Sequence, residues 1–345
     1  MALQHDLLKR IINVHWASGG GDFVAGNFTP CIYRRKNDEW EKLGHSVFTE
    51  YGVIYGSAYA QEISTFILVG SKRETLNPEN PDEDLSGIIA VSKDGKEWME
   101  AYEYINSGWA GNKNGIVIGA VWDANEQCFY AGGGGFKGNS GGDSPHPEAG
   151  SQYFEDVLWK SSNGLTWTEV ARREVGYRFD EMDGDGPKNY EGLLIARCRN
   201  KVQDSRGHNV PDGNYGYRET DAANSVLIAP QKPLRIEYGT ARMYQPGGAG
   251  GGVVVTKKKD GNTTTTTVDV GFRVNAVAYA GGVWIAFGGD AGEPIEGENP
   301  GCFGNPRSAM STDDGASWET SSDEALPSEG DQFQIVTAVA AAQRE

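Results

Sequence analysis

No apolar run reaches the ~18 residues that would suggest a membrane-crossing helix, so a helical span is excluded. Cysteine is sparse. Cys31, Cys128, Cys198 and Cys302 lie far apart and form no CxxC pair, which leaves neither a zinc-ribbon spacing nor a disulfide framework and makes buried thiols the expectation. Positive charge is also short: 31 Lys and Arg stand against 48 Asp and Glu, a net charge of −17 over 345 residues. Such a surface keeps a protein soluble and repels nucleic acid, so a nucleic-acid partner is not expected. The segment 1–16 has no apolar core ending in small residues, and no secretory signal is read there. No Ser–His–Asp arrangement stands out. The glycine run Gly247-Gly-Ala-Gly-Gly-Gly252 lacks the Lys and helix of a phosphate loop and reads as a flexible connection.

Glycine, by contrast, is abundant at 48 residues beside a hydrophobic content of 38%, a balance that suits many short strands and tight turns. A turn motif recurs. Ser92-Lys-Asp94-Gly95-Lys-Glu-Trp98 and Ser161-Ser-Asn163-Gly164-Leu-Thr-Trp167 have equal length, and Ser311-Thr-Asp313-Asp-Gly315-Ala-Ser-Trp318 is one residue longer. Asn37-Asp38-Glu39-Trp40 and Thr256 with Asp260-Gly261 read as degenerate copies. An Asp or Asn side chain accepts hydrogen bonds from nearby backbone N–H groups and fixes a turn, Ser adds a second such bond, and Gly supplies positive φ. The Trp then covers the hairpin with apolar area.

A paired-strand pattern precedes each turn. Trp16 is followed by Phe23-Val-Ala-Gly26, Tyr59 by Phe66-Ile-Leu-Val-Gly70, Trp122 by Phe129-Tyr-Ala-Gly132, and Tyr279 by Trp284-Ile-Ala-Phe-Gly288. Each reads as a hairpin with alternating apolar positions. The repeat is therefore strand A, strand B, a variable loop, strand C, the turn and strand D. Units fall near 11–48, 53–104, 116–172, 190–270 and 272–322, with the A and B strands of unit four placed at 192–198 and 225–229. The expected fold is an all-β propeller, a single domain over 1–345 with five four-stranded antiparallel blades and a long irregular insertion at about 173–224. Unit four is long enough to hold a sixth blade. The tail 334–342 resembles the A strand at 274–280, so it completes a blade and closes the ring, although this leaves an A-like strand at both termini.

The three Ser-x-Asp/Asn-Gly-x-x-Trp turns resemble the Asp-box, or bacterial neuraminidase repeat, of the sialidase-type β-propellers, which are also found in phage structural proteins. The resemblance implies a propeller and often carbohydrate contact, with the boxes (Ser92, Asp94, Gly95, Trp98; Ser161, Asn163, Gly164, Trp167; Ser311, Asp313, Gly315, Trp318) acting structurally and away from any active site. Sialidases of this type carry an Arg-Ile-Pro motif and an arginine triad. The nearest string here, Tyr33-Arg34-Arg35-Lys36, lacks the Ile-Pro and sits in a C strand, and Arg73, Arg197, Arg235 and Arg242 match no family motif.

Insertions fall on the B–C side, at 71–86, 133–156 and 289–307, so one face is elaborated. Ligand- or partner-binding candidates there are Trp109, His146, Tyr153 and Tyr215. No cofactor is expected apart from calcium, for which Asp183 and Asp185 are the candidates in an acidic, glycine-bearing loop. With no catalytic motif, no export signal and no disulfides, the expectation is a non-enzymatic binding or assembly propeller. It is read as a phage tail, fibre or decoration protein, made in the cytoplasm and acting in the virion or outside cells. Its expected partners are neighbouring subunits or surface glycans. The alternative is a sialidase-like glycoside hydrolase using carboxylates at the propeller mouth, where acidic stretches such as 79–84 and 293–298 supply candidates.

Overall fold

A computed structural model describes residues 8–17, 28–36, 39–49, 52–73, 85–106, 115–124, 126–138, 152–176, 201–203, 209–211, 216–221, 223–231, 235–237, 242–244, 251–289, 306–321 and 333–343. Among these the only helical element is a 3-10 turn, Ser46–Phe48. The rest is strand and turn, arranged as a β-propeller of four-stranded antiparallel blades.

Blade I contains β1 (Leu8–Ala17), β2 (Phe28–Lys36) and β3 (Glu39–Gly44). Blade II is β4 (Val53–Ala60), β5 (Thr65–Lys72), β6 (Ser86–Ser92) and β7 (Met99–Tyr104). Blade III is β8 (Ile116–Asp123), β9 (Cys128–Gly138), β10 (Gln152–Ser161) and β11 (Thr168–Gly176). A two-stranded ladder follows, β12 (Lys201–Gln203) with β13 (Asn209–Pro211), and β13 packs on β8 and β9. Blade IV is β14 (Gly216–Asp221), β15 (Asn224–Pro230), β18 (Val253–Lys259) and β19 (Asn262–Val268), with a second ladder, β16 (Arg235–Glu237) and β17 (Arg242–Tyr244), inside its β15–β18 connection. Blade V is β20 (Arg273–Ala280), β21 (Val283–Gly289), β22 (Pro306–Ser311) and β23 (Glu319–Ser321).

The last strand, β24 (Phe333–Gln343), returns to blade I and pairs antiparallel with β1 from Leu8↔Gln343 to Ala17↔Phe333. Blade I thus has the order β24-β1-β2-β3, and its innermost strand comes from the C-terminal end. This corrects the sequence reading of unit one. The strand carrying Trp16 is the second strand of its blade, and 23–26 lies outside the described residues. Both terminal strands look alike because they are hydrogen-bonded neighbours in one sheet. β24 also packs against β20 and β4, and the Ser57 hydroxyl donates to the Val339 carbonyl at 2.6 Å, so the two ends of the chain are held together inside the ring. Unit four needs a second correction: its inner strand is β14, and 192–198 lies outside the described residues.

Five four-stranded sheets are present among the described residues, with two short ladders in addition. Packing between blades explains why the middle strands read as nearly continuous apolar runs. In β5 and β6, Phe66, Leu68, Ile88 and Ala90 pack toward Ile32 and Ile54, whereas Ile67, Val69, Ile89 and Val91 pack toward Val117, Phe129 and Trp159 of blade III. Consecutive side chains point to opposite faces, and each face meets a neighbouring blade, so β6 is buried along its whole length. The alternation expected from the sequence is lost for this reason. Blades IV and V repeat the scheme, with Val226, Ile228, Val253 and Val255 packed on Phe272, Val274 and Trp284. Each fully buried Leu, Ile, Val or Phe of this kind contributes about 1.5–3 kcal/mol.

Candidate functional site

Antiparallel order within every blade puts two kinds of connection at opposite ends of the ring. The A–B and C–D turns share one end, and the B–C and D–A connections, which include the long insertions, share the other.

At the turn end the three Ser-x-Asp/Asn-Gly motifs adopt one hydrogen-bond scheme. The Ser92 hydroxyl donates to Asp94 Oδ1 at 3.1 Å and accepts from the Gly95 N–H at 2.8 Å, while Asp94 Oδ1 also accepts from the N–H groups of Lys96 (2.8 Å) and Glu97 (3.0 Å). Ser161 and Asn163 bond Gly164, Leu165 and Thr166 in the same way. Ser311 and Asp313 repeat it around Gly315 and Ser317. The glycines sit at φ 73°, 77° and 78°, where a side chain is strained. The indole N–H groups of Trp167 and Trp318 donate back to the Gly164 and Gly315 carbonyls. Two of these turns also pack against the preceding blade: a Cβ on Gly164 would press on Ile67, Thr65 and Val91, and one on Gly315 on Ile228 and Val255.

The extra residue of the third turn has its own task. Asp314, at φ 57°, accepts from Arg218 Nη2 on blade IV at 2.5 Å and from Trp284 Nε1 at 3.2 Å, and the Arg218 guanidinium lies 5.7 Å from the centre of the Tyr279 ring. The hydroxyl and backbone N–H of Ser317 hold the Asp313 carboxyl down to about 2. The degenerate copy at Asp260-Gly261 is a different structure, a two-residue hairpin with both residues at positive φ (50° and 81°). Residues 37 and 38 of the other degenerate copy lie outside the described residues.

Blade III holds a titratable cluster at the same end. Glu126 accepts from Tyr130 Oη at 2.6 Å and from Lys160 Nζ at 2.8 Å. Burial first, and then the bond to Glu126, push the Tyr130 hydroxyl up to about 12. Burial raises the nearby Cys128 thiol, so neither group is poised for acid, base or nucleophile work near neutrality.

The opposite end differs in kind. Four innermost strands carry a β-bulge there, at Tyr55, Ile118, Asn275 and Thr337, each inserted near the loop-side start of its strand. Bulges recur beside active sites because they re-aim side chains. Apart from the buried serines of the turns, buried polar side chains also lie toward this end: Ser71 and Arg73 at the end of β5, Asn106 after β7, Arg273 and Asn275 at the start of β20, and Ser308 in β22. Arg73 is 1% exposed and Arg273 is 8% exposed. Thr49 fixes the Arg73 backbone, its hydroxyl donating to the Arg73 carbonyl at 2.5 Å and accepting from the Arg73 N–H at 3.2 Å. Thr49 has φ 61° and ψ 170°, a region nearly restricted to glycine, so a β-branched residue there is strained.

No family profile and no curated protein matches the sequence. Among solved structures, the chain resembles a Lactobacillus plantarum protein (TM-score 0.34, 10% identity, 97% of this chain and 99% of that one). It also resembles a GH43_1 enzyme from Xanthomonas citri (0.35, 11%, 81% and 81%) and the Trypanosoma rangeli sialidase (0.28, 12%, 83% and 40%). The virion expectation is corrected on this finding: the activities named among similar solved structures are those of glycoside hydrolases and a sialidase, not of virion subunits. At these identities the likeness assigns no activity to this chain.

The sequence-selected ligand candidates Trp109, His146 and Tyr215, and the calcium candidates Asp183 and Asp185, lie outside the described residues. Tyr153 lies in β10, opposite Lys137 and Gly176. Arg73 and Arg273 were not singled out as site residues from the sequence, although Lys72-Arg73 directly after an apolar strand was a usable signal. Chemically, a guanidinium offers a fork of donors to hydroxyls or carboxylates, and Asn and Ser add donors and acceptors at fixed positions. No cluster of metal-ligating side chains occurs among the described residues.

Proposed function

We propose that the loop-bearing end of the ring is a glycan site and that the chain is a glycoside hydrolase, with the three tryptophan-lidded turns serving as structural Asp-boxes at the far end. The observation that carries this reading is the presence of buried Arg73, Asn106, Arg273 and Asn275 at the bulged, loop-bearing end, whereas the buried serines of the turn end, Ser92, Ser161 and Ser311, are taken up by the turns themselves. A polyhydroxylated ligand suits such a mixture of donors and acceptors.

Acid–base groups come from the connections that leave from the same end. The segments 74–84, 139–151 and 290–305 lie within the connections from β5 to β6, β9 to β10 and β21 to β22, and apart from Arg73 just before the first of them these stretches contain Asp and Glu but no Lys or Arg. Glycosidic cleavage uses two carboxyl groups, one protonated and one ionised, about 5–10 Å apart. Where two carboxyl groups share a site, mutual repulsion raises one pKa, and a neighbouring guanidinium lowers another. Glu79, Asp82, Asp84, Glu293, Glu296 and Glu298 are the first carboxylates to test.

The test is hydrolysis of a panel of aryl glycosides, including a sialoside, followed by single Glu→Gln and Asp→Asn variants at those positions. The expected result is turnover of one glycoside class and a loss of about 10²–10⁴-fold in kcat for two variants. Absence of turnover across the panel, or turnover unaffected by every variant, rejects the reading.

A further inference from the structure

An outer strand of a propeller blade exposes a row of unpaired backbone N–H and C=O groups, and proteins defend such edges with charge, proline, bulges or shortness. Four of the five outer strands here are defended in these ways. β3 carries Glu39, Glu41 and Lys42. β7 carries Glu100 and Glu103, and β11 carries Glu169, Arg172, Arg173 and Glu174. β23 is only three residues long. The fifth, β19, reads Asn262-Thr-Thr-Thr-Thr-Thr-Val268. It has no charge, no proline and no glycine, among the described residues it pairs only with β18, in unbroken register, and it is exposed from Asn262 to Thr267.

We infer that β19 is an interaction edge for a second copy of this chain, paired antiparallel across a two-fold axis at Thr265, so that two blades IV fuse into one continuous sheet. The occupant is identified by self-complementarity. An isologous strand pair needs a segment that matches its own reversal, and the run 263–267 is the same in both directions, with Thr264 opposite Thr266 of the other copy. Cross-strand threonines bond in this blade already, since the Thr256 and Thr265 hydroxyl oxygens lie 3.3 Å apart. A seven-residue edge buries less than the ~1,200 Å² of a standard interface, so the association is weak and reversible.

The experiment is sedimentation velocity of the full chain over a wide concentration range at about 0.05 and 0.5 M salt, since the Debye length contracts about threefold between them. The expected result is a concentration-dependent dimer that strengthens with salt. The double variant Thr264→Lys/Thr266→Lys places like charges opposite one another and is expected to be monomeric, as is Thr264→Glu/Thr266→Glu. An equimolar mixture of the two is expected to restore a dimer, and that restoration also shows that both variants are folded. A wild-type chain that stays monomeric at every concentration, a dimer that persists in both variants alone, or a mixture that stays monomeric overturns the proposal.

Discussion

At the scale of the residue, the serine of each recurring turn matters because its oxygen satisfies a buried backbone donor. In Ser161→Ala the Gly164 N–H keeps its burial and loses its acceptor. An unsatisfied buried donor costs about 1–3 kcal/mol, so a fall of that size in urea-unfolding stability is expected, and an unchanged midpoint would show that the hydroxyl is dispensable. Asp313 gives a pH signature. Its folded-state pKa is depressed to about 2 from an ordinary value near 3.8, chiefly by the Ser317 hydroxyl and N–H. A depressed carboxyl contributes stability above its unfolded pKa and loses it as the pH falls through the folded value. The melting temperature of Ser317→Ala is therefore expected to lie below wild type at pH 5 and to converge with it toward pH 2. A difference that stays constant over that range would rule the linkage out. The turn chemistry was legible because each bond is local, between residues two to four positions apart. Arg73 was not, since its backbone is held by Thr49, 24 positions away, and its burial comes from the folded surroundings.

At the scale of the element, a glycine in the second strand reports a bulge in the first. Gly70, Gly133 and Gly288 stand opposite Ile54, Val117 and Val274, the residues just before three of the inner-strand bulges. The bulge drives an inner-strand carbonyl toward the neighbouring strand, so a Cβ on Gly133 would fall inside the envelope of the Ile116 carbonyl oxygen, and one on Gly288 inside that of Arg273. Backbone on both sides leaves little room to yield. Gly288→Ala is expected to lower unfolding free energy by about 1–3 kcal/mol, the range of overpacking strain, measured by chemical denaturation. A cost within a few tenths of wild type would mean that the strand end relaxes freely. The glycine was visible in the sequence as the end of the apolar B strand at Gly70 and Gly288, and one residue early, at Gly132, in blade III. Its cause was not, because a bulge is a relation between two strands.

At the scale of the whole molecule, closure depends on β24. It contributes the inner strand of blade I and lies against the inner strands of blades II and V. Deleting 333–345 exposes the inner edge of β1 and removes a shared neighbour of β4 and β20. Loss of the cooperative thermal transition is expected by calorimetry, with recovery when the 333–345 peptide is added in trans; a truncated chain melting like wild type would show that the ring holds without its clasp.

What the sequence determined by itself was the repeat: turns fixed by Ser, Asp or Asn and Gly, apolar strands between them, and hence a ring of antiparallel blades. These follow from contacts among residues close along the chain, which a single repeat spells out in full. The tertiary structure alone decided that the first and last strands share one blade, that β14 opens blade IV, and that Arg73 and Arg273 are buried at the loop-bearing end. Each of these depends on which distant strands become neighbours, and the energy of such pairing lies in faces that no single stretch of sequence displays.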